Sequence, residues 1–293
     1  MATLSNKIDF AVIVCVNHAN PNGDPLNGNR PRVTYDGFGE LSDVSLKRKI
    51  RNRLQDMGHP IFVQSDDNRV DGYRSLRERA EGTLKGADTS DKKKYQEAAC
   101  NNWVDVRAFG QVFAYSAKKG KKNDDEASEG VSIGIRGPVS IHPAFSVVPV
   151  LDRVSSIQIT KSVSGEGGED GKRGSDTMGM KHRVEHGVYV FYGSMNPQLA
   201  TKTGFSEDDA EAIKEAIRTL FRNDASSARP EGSMEVCKLY WWKHNSPNGQ
   251  YSSAKVHRLV QIKPTNDEPR CMNDYEITLN ELTGLTCEMI DGE

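Results

Sequence analysis

Residues 8–16, IDFAVIVCV, are apolar at odd and even positions alike, a pattern that predicts a central strand covered on both faces. A polar loop, NHANPNGDPLNGNRPR, separates this run from the amphipathic segment SDVSLKRKIRNRLQDMG, whose Leu46, Ile50, Leu54 and Met57 fall on one helical stripe. Ser42 is placed as N-cap, Asp43 suits the first turn, and Gly58 and Pro60 close the helix. On that reading Lys47, Arg48 and Arg51 project away from the core. Residues 66–100 are polar and weakly helical, with the composition of a peripheral insertion. Asn102 to Tyr115 keeps helical spacing at Trp103, Val106, Phe109 or Gly110, and Phe113. Val131 to Val150 is strand-rich, and SIQITKSV is joined to VEHGVYVFYGSM by a glycine-rich, charged connection, which predicts a long hairpin with a mobile tip. Ser206 to Phe221 reads as a helix, capped by serine, acidic in its first turn and apolar at Ile213, Ile217, Leu220 and Phe221. MEVCKLYWWKH and KVHRLVQIKP read as closing strands. The order predicts an α+β layout, with helices on one face of a mainly antiparallel sheet.

A chain of 293 residues can bury a core without disulfide or metal support. Its five cysteines contain no C-x-x-C pair, and their odd number argues against a secreted disulfide framework and for a reducing cytosol. The N-terminal apolar run is about nine residues long, too short for a membrane span. A soluble, cytoplasmic protein is therefore expected. The net charge of −2 hides an uneven distribution: Lys47 to Arg53 carries five basic groups in seven residues, and Lys118 to Glu129 sets four lysines before four acids, as a solvated loop would.

Three enzyme-like patterns fail on physical grounds. HRVEH, His182 to His186, matches a zinc-protease pattern that needs a helix, yet it sits in strand-like sequence, where residues i and i+4 lie more than about 10 Å apart. GEGGEDGKRGS lacks the P-loop spacing, because Glu166 stands where the first glycine belongs and Arg173 where the hydroxyl belongs. HGVYVFYG has neither the leading basic residue nor the spacing of an aromatic RNA-binding strand, so core packing is favoured. What remains is the glycine-marked loop running into the basic helix. Free amides at a helix N-terminus, close approach at glycine, and the charges of Arg30, Arg32, Lys47 and Arg51 together describe a phosphodiester cradle.

NHANPNGDPLNGNRPR followed by LSDVSLKRKIRNRLQ resembles the signature of the CRISPR-associated backbone subunit of the RAMP superfamily, in its type I-C (Csd-two-like) form. The likeness continues through VDVRAFGQVFA, RGPVSI, SIQITKSV and MGMKHRVEHGVYVFYG, and so spans the whole chain. It implies one RRM-like (ferredoxin-like) palm over residues 1–293, a fingers insertion at 59–100 and a β-hairpin thumb at 152–186. Copies would polymerise head to tail along a crRNA within a Cascade complex, present it for pairing with target DNA, and join other Cascade subunits and a separate helicase–nuclease. The resemblance places RNA contacts at Asn20, Asn22, Gly23, Asp24, Arg30, Ser45, Lys47, Arg48, Arg51, Arg107, Phe109, Gly110 and Arg136. Met178, Met180 and Lys181 would act on the thumb, with one methionine as an apolar wedge, and the tip would order only on assembly. No catalytic residue, metal, cofactor or membrane contact is implied. The competing reading is a type III-like target-RNA endoribonuclease subunit using Asp24, although a local backbone hydrogen bond is the simpler role for that side chain.

Overall fold

A strand that is apolar on both faces needs cover on both, and Ile8–Ala19 (β1) has it. Phe10, Val12, Val14 and Val16 point into one apolar cluster, Ala11 and Ile13 into another, and all six are fully buried. The computed structural model describes residues 2–86, 89–115, 131–160 and 178–293. The lysine-rich loop at 118–129 and the glycine-rich tip at 165–177 lie outside these residues.

After β1 come the two loop strands Gly23–Asp24 (β2) and Arg30–Pro31 (β3), then Phe38–Leu41 (β4) and the basic helix Asp43–Asp56 (α1). A lobe follows, built of Leu76–Thr83 (α2), Lys92–Asn102 (α3), Val104–Phe109 (α4), Gly110–Tyr115 (β5) and Val131–Arg136 (β6). The chain returns to the sheet through Val139–Ile141 (β7), Ala144–Pro149 (β8), Val154–Thr160 (β9) and the long Met178–Met195 (β10). Two helices, Pro197–Thr203 (α5) and Glu207–Arg218 (α6), precede Met234–Lys243 (β11), Ser253–His257 (α7), Val260–Pro264 (β12), Tyr275–Leu279 (β13) and Cys287–Asp291 (β14).

The central sheet runs β14-β11-β1-β10-β8-β4, with β7 and β9 also paired to β10, and every pairing is antiparallel. Helices α1, α5 and α6 cover one face through Leu46, Ile50, Leu54, Ala200, Ile213 and Ile217. The second face, whose cover the expected helical layer did not supply, is buried by Val256 of α7, Val260 and Tyr275 of the β12–β13 hairpin, and Leu285. KVHRLVQIKP is accordingly a short helix followed by a strand. Among the described residues no helix is long and apolar enough to cross a membrane.

The lobe departs further from the sequence reading. Asn102 to Tyr115 is not one helix, because the chain turns at Gly110 with φ +80° and continues as β5. A Cβ at Gly110 would lie 2.3 Å from the Ile135 carbonyl oxygen, so glycine is required by the approach of the neighbouring strand. Phe62, Ala80, Leu84, Tyr95, Trp103, Phe113 and Ile133 form a third apolar cluster, which gives this polar stretch a core of its own.

The lobe and the helical layer meet at Arg107. Its guanidinium grips Asp209 with two hydrogen bonds, Nε to Oδ2 at 2.8 Å and Nη2 to Oδ1 at 2.7 Å. Asp209 also closes a capping box with Ser206 at the start of α6. Burial pushes this carboxyl upward, but the hydrogen bonds from Arg107 and Ser206 outweigh it and hold the group below its ordinary value. Its stabilisation is therefore complete above the unfolded carboxylate value of about 3.9 and is lost as pH falls through the depressed folded value. Asp209→Asn should cost about 3–5 kcal/mol at neutral pH, with the gap to the parent closing toward about pH 2. Urea melts across that range test this; a gap undiminished in acid would assign the loss to packing instead.

Candidate functional site

The loop leaving β1 is held from three sides. Gly23 pairs with Pro31 and Asp24 with Arg30, forming a two-rung ladder. A Cβ at Gly23 would fall 2.0 Å from Asn29 Oδ1, so the Asn29 side chain packs directly over the glycine. Asp24 caps the following turn, its Oδ1 accepting from the Leu26 amide at 3.2 Å, and faces Arg32 at 3.6 Å. Asn20 is buried; its side chain donates to the Asn29 carbonyl at 2.8 Å and its amide to the Ala228 carbonyl at 2.9 Å. Asn22 Oδ1 accepts from both the amide and the hydroxyl of Ser42, each at 2.9 Å. Ser42 Oγ in turn accepts from the Ser45 amide at 3.2 Å as N-cap of α1. The turns of the loop thus bolt it to the start of the basic helix.

The helix does not display its cations as expected. Lys47 pairs with Asp43 at 2.9 Å on its own surface. Arg48 donates to the Val63 carbonyl at 2.5 Å, and Arg51 reaches the fully buried Asp105 at 2.9 Å while lying 5.0 Å over the ring of Phe109. Lys49 is buried against Asp224, and burial pulls its ammonium down to about 8 despite that partner. Arg53 donates to Thr219 at 2.7 Å. The reason for the correction is that α1 is flanked on two sides, by the 62–63 segment with α4 and by α6 with the chain that follows it. Arg107 is likewise committed to Asp209. Arg136, opposite Gly110 in the β5–β6 pairing, is exposed, and among the described residues no carboxylate pairs with it.

A second set of groups gathers at the base of the β9–β10 hairpin, where Ser156 and His182, which sequence reasoning gave no role at the RNA site, join the expected Arg30. Arg30 reaches Ser156 Oγ at 3.4 Å, and that hydroxyl shares a 2.7 Å hydrogen bond with His182 Nδ1. Burial and the nearby charge of Arg30 keep His182 below the ordinary imidazole value, so its ring is neutral near pH 7. His182 and Met180 share one face of the ribbon because side chains alternate, and Met180 is 54% exposed. Lys181 lies on the other face, opposite Ile157. Met178 pairs with Thr160 at the outer end of the described hairpin. The only clue to Arg30, Ser156 and His182 meeting was strand parity, which does not reveal what lies alongside.

The model of the family described as CRISPR-associated protein Cas7 matches residues 6–280. The chain belongs to the Cas7 family. A relative, the CRISPR-associated protein Cas7 of Haloferax volcanii, is 28% identical over 291 residues, covering 96% of this chain and 83% of that protein. Among solved structures, a chain of a CRISPR RNA-guided surveillance complex in a pre-nicking state is 14% identical with a TM-score of 0.41, covering 80% of this chain and 78% of that one. A chain of another CRISPR RNA-guided surveillance complex gives 16% and 0.39, over 80% and 68%.

Within this Cas7 chain, Asn22→Ala should free the loop from α1 without unfolding the sheet. Two hydrogen bonds are lost, about 1–3 kcal/mol together. Amide exchange should rise at Ser42 and Ser45 while β1 and β10 stay protected; a Ser42 amide as slow as in the parent would mean that the loop is held elsewhere.

Proposed function

We infer that the chain is the guide-RNA-binding backbone subunit of a type I-C CRISPR surveillance complex, polymerising along the crRNA and presenting it for pairing with target DNA. Membership of the Cas7 family supports this, and one geometric observation carries it. From Arg30 through Ser156 and His182 to Met180, a cation, two polar groups and an exposed apolar side chain follow one another from the loop out along one face of a projecting ribbon. Cationic and polar groups suit phosphate and sugar, and a neighbouring exposed methionine suits insertion between bases. On this reading the strip meets phosphate, sugar and the stacking faces of bases, and sequence discrimination falls to base pairing by the guide.

On this reading the central sheet with its helices is an RRM-like palm, the lobe at 59–100 with β5 and β6 is the fingers, and the ribbon from 152 to 186 is the thumb. Copies stack head to tail through two different surfaces, and other Cascade subunits and a recruited helicase–nuclease complete the assembly in the cytoplasm. Backbone amides of the loop and the side chains of Arg30, Arg136 and Lys181 supply the contacts to RNA. The basic helix contributes by holding the loop in place. On this reading the chain has no nuclease role, and what supports it is that the Asp24 carboxylate caps a turn and faces Arg32.

Because Arg51 is tied to Asp105, reversing it would disturb folding, and the informative cations are those with no carboxylate partner among the described residues. Arg30→Glu with Lys181→Glu should weaken guide retention alike for all guide sequences. The slope of log affinity against log salt should flatten by about 1.4, roughly 0.7 for each single-strand phosphate contact. An unchanged slope would remove these side chains from the RNA path. Asp24→Ala should leave degradation of RNA or DNA by the assembled complex unchanged; metal-dependent cutting of complementary RNA that vanishes in this variant would establish the enzyme reading.

A further inference from the structure

A bulge in β11 decides which side chains meet beside the end of β1. Ile13 pairs with Lys238 but Val14 with Val236, so Cys237 is one residue more than β1 can match. Before the bulge, Leu239 and Trp241 face the helical layer and Tyr240 and Trp242 face the second cluster. After it, Val236 and Met234 face the helical layer, and Cys237 packs against the second cluster. In unbroken alternation Cys237 would share the face of Leu239 and Trp241, opposite to Cys15. The extra residue instead brings Cys237 and Glu235 to the side of Cys15, which stands directly across from Glu235. The ligand atoms of Cys15, Cys237 and Glu235 all lie within 4.8 Å of one another.

The other flank of β1 adds an independent observation. His186 stands opposite Asn17, on the face that Cys15 also occupies, and is only 4% exposed. Its Nδ1 is 2.7 Å from Asn17 Oδ1. An amide oxygen only accepts, so Nδ1 carries a proton, and in the neutral ring Nε2 is the nitrogen left with a lone pair. That Nε2 is buried with no hydrogen-bond partner. The Asn17 amide nitrogen donates to Cys15 Sγ at 3.5 Å, so one side chain orients both groups.

We propose that Cys15, Cys237 and Glu235 bind one thiophilic divalent cation of the zinc class, with His186, which shares their face but lies outside the 4.8 Å cluster, bringing Nε2 in as the fourth donor on binding. Two sulfurs, a carboxylate oxygen and an imidazole nitrogen are the donors such a cation takes in tetrahedral geometry, with bonds of about 2.0–2.3 Å that bring ligand atoms to roughly 3.5–3.8 Å from one another. Both thiols give up their protons on binding, and two thiolates and a carboxylate then face the dication, while the ring stays neutral. Cys15 lies buried at the floor and Glu235 is exposed at the rim, which leaves a way in from solvent. The bound cation would staple β11 to the last turns of β1, directly before Asn20 enters the loop.

The test uses the purified full chain, reduced, desalted and titrated with Co²⁺ and then Zn²⁺. One Co²⁺ per chain should bind, with thiolate charge-transfer absorption in the near ultraviolet and intense tetrahedral bands in the visible, and stoichiometric Zn²⁺ should abolish both. Cys237→Ser and Glu235→Gln, at sites outside the deep core, should each weaken binding at least about tenfold, the lower end for disturbing a metal's surroundings. Cys271→Ser, at an exposed cysteine elsewhere, should change nothing. Absence of the charge-transfer band in the parent, or a band that survives both Cys237→Ser and Glu235→Gln in folded protein, overturns the proposal.

Discussion

Burying a carboxylate costs several kcal/mol unless its charge and its lone pairs are met, and Asp105 meets that condition with partners from two other segments. It has no solvent exposure, and its oxygens take Arg51 Nε at 2.9 Å, the Phe62 amide at 2.7 Å and the Val63 amide at 3.1 Å. α1, the 62–63 segment and α4 are thereby held at one point. With Arg51 fixed there, the rotation of α1 about its axis is settled, which turns Lys49 and Arg53 toward Asp224 and Thr219. The same orientation leaves Ser42 free to receive Asn22. Removing the charge at Asp105 would therefore unsettle the lobe and the loop together.

β10 passes this order outward. Its inner residues pair with β1 from Met195 to Val184, and its outer residues pair with β9 from Val184 to Met178. Eighteen residues at about 3.4 Å each span roughly 60 Å, so the projecting ribbon is the continuation of a core strand. Where β1 stops at Ala19, opposite Val184, the loop strand β3 takes up contact with β10. Arg30 meets Ser156 and His182 at this branch point. Loop and ribbon are consequently set relative to each other by one strand, and a change in either is felt at the same residues.

Elements governed by short-range pattern were legible in the sequence. β1 declared its two-faced burial through apolar residues at both parities, and α6 declared its start through Ser206 and the acids behind it. The 102–115 segment misled because Trp103, Val106 and Phe113 match helical spacing while Gly110 adopts a φ that ends the helix. The basic helix misled for a different reason. Charge can be counted along a chain, but the partners of Arg51, Arg53 and Lys49 lie 54, 166 and 175 residues away, and no local periodicity reports them. The β11 bulge is equally silent, since one residue too many relative to β1 is visible only once the two strands are side by side.

These commitments bear on how such a chain holds a polyanion. All five basic side chains from Lys47 to Arg53 have protein partners, and the chain carries a net charge of −2. On the proposed reading, this helix therefore offers few free cations to phosphate from a single copy. A strongly basic subunit would coat any RNA it met. A nearly neutral one that contacts neighbouring copies on the same strand gains from effective concentration, because each added copy binds as part of an existing array. On the proposed reading, the spending of cations on internal pairs is then a means of selection: it makes retention depend on repetition along one guide, and it leaves the fold able to fix the loop and ribbon that meet the RNA.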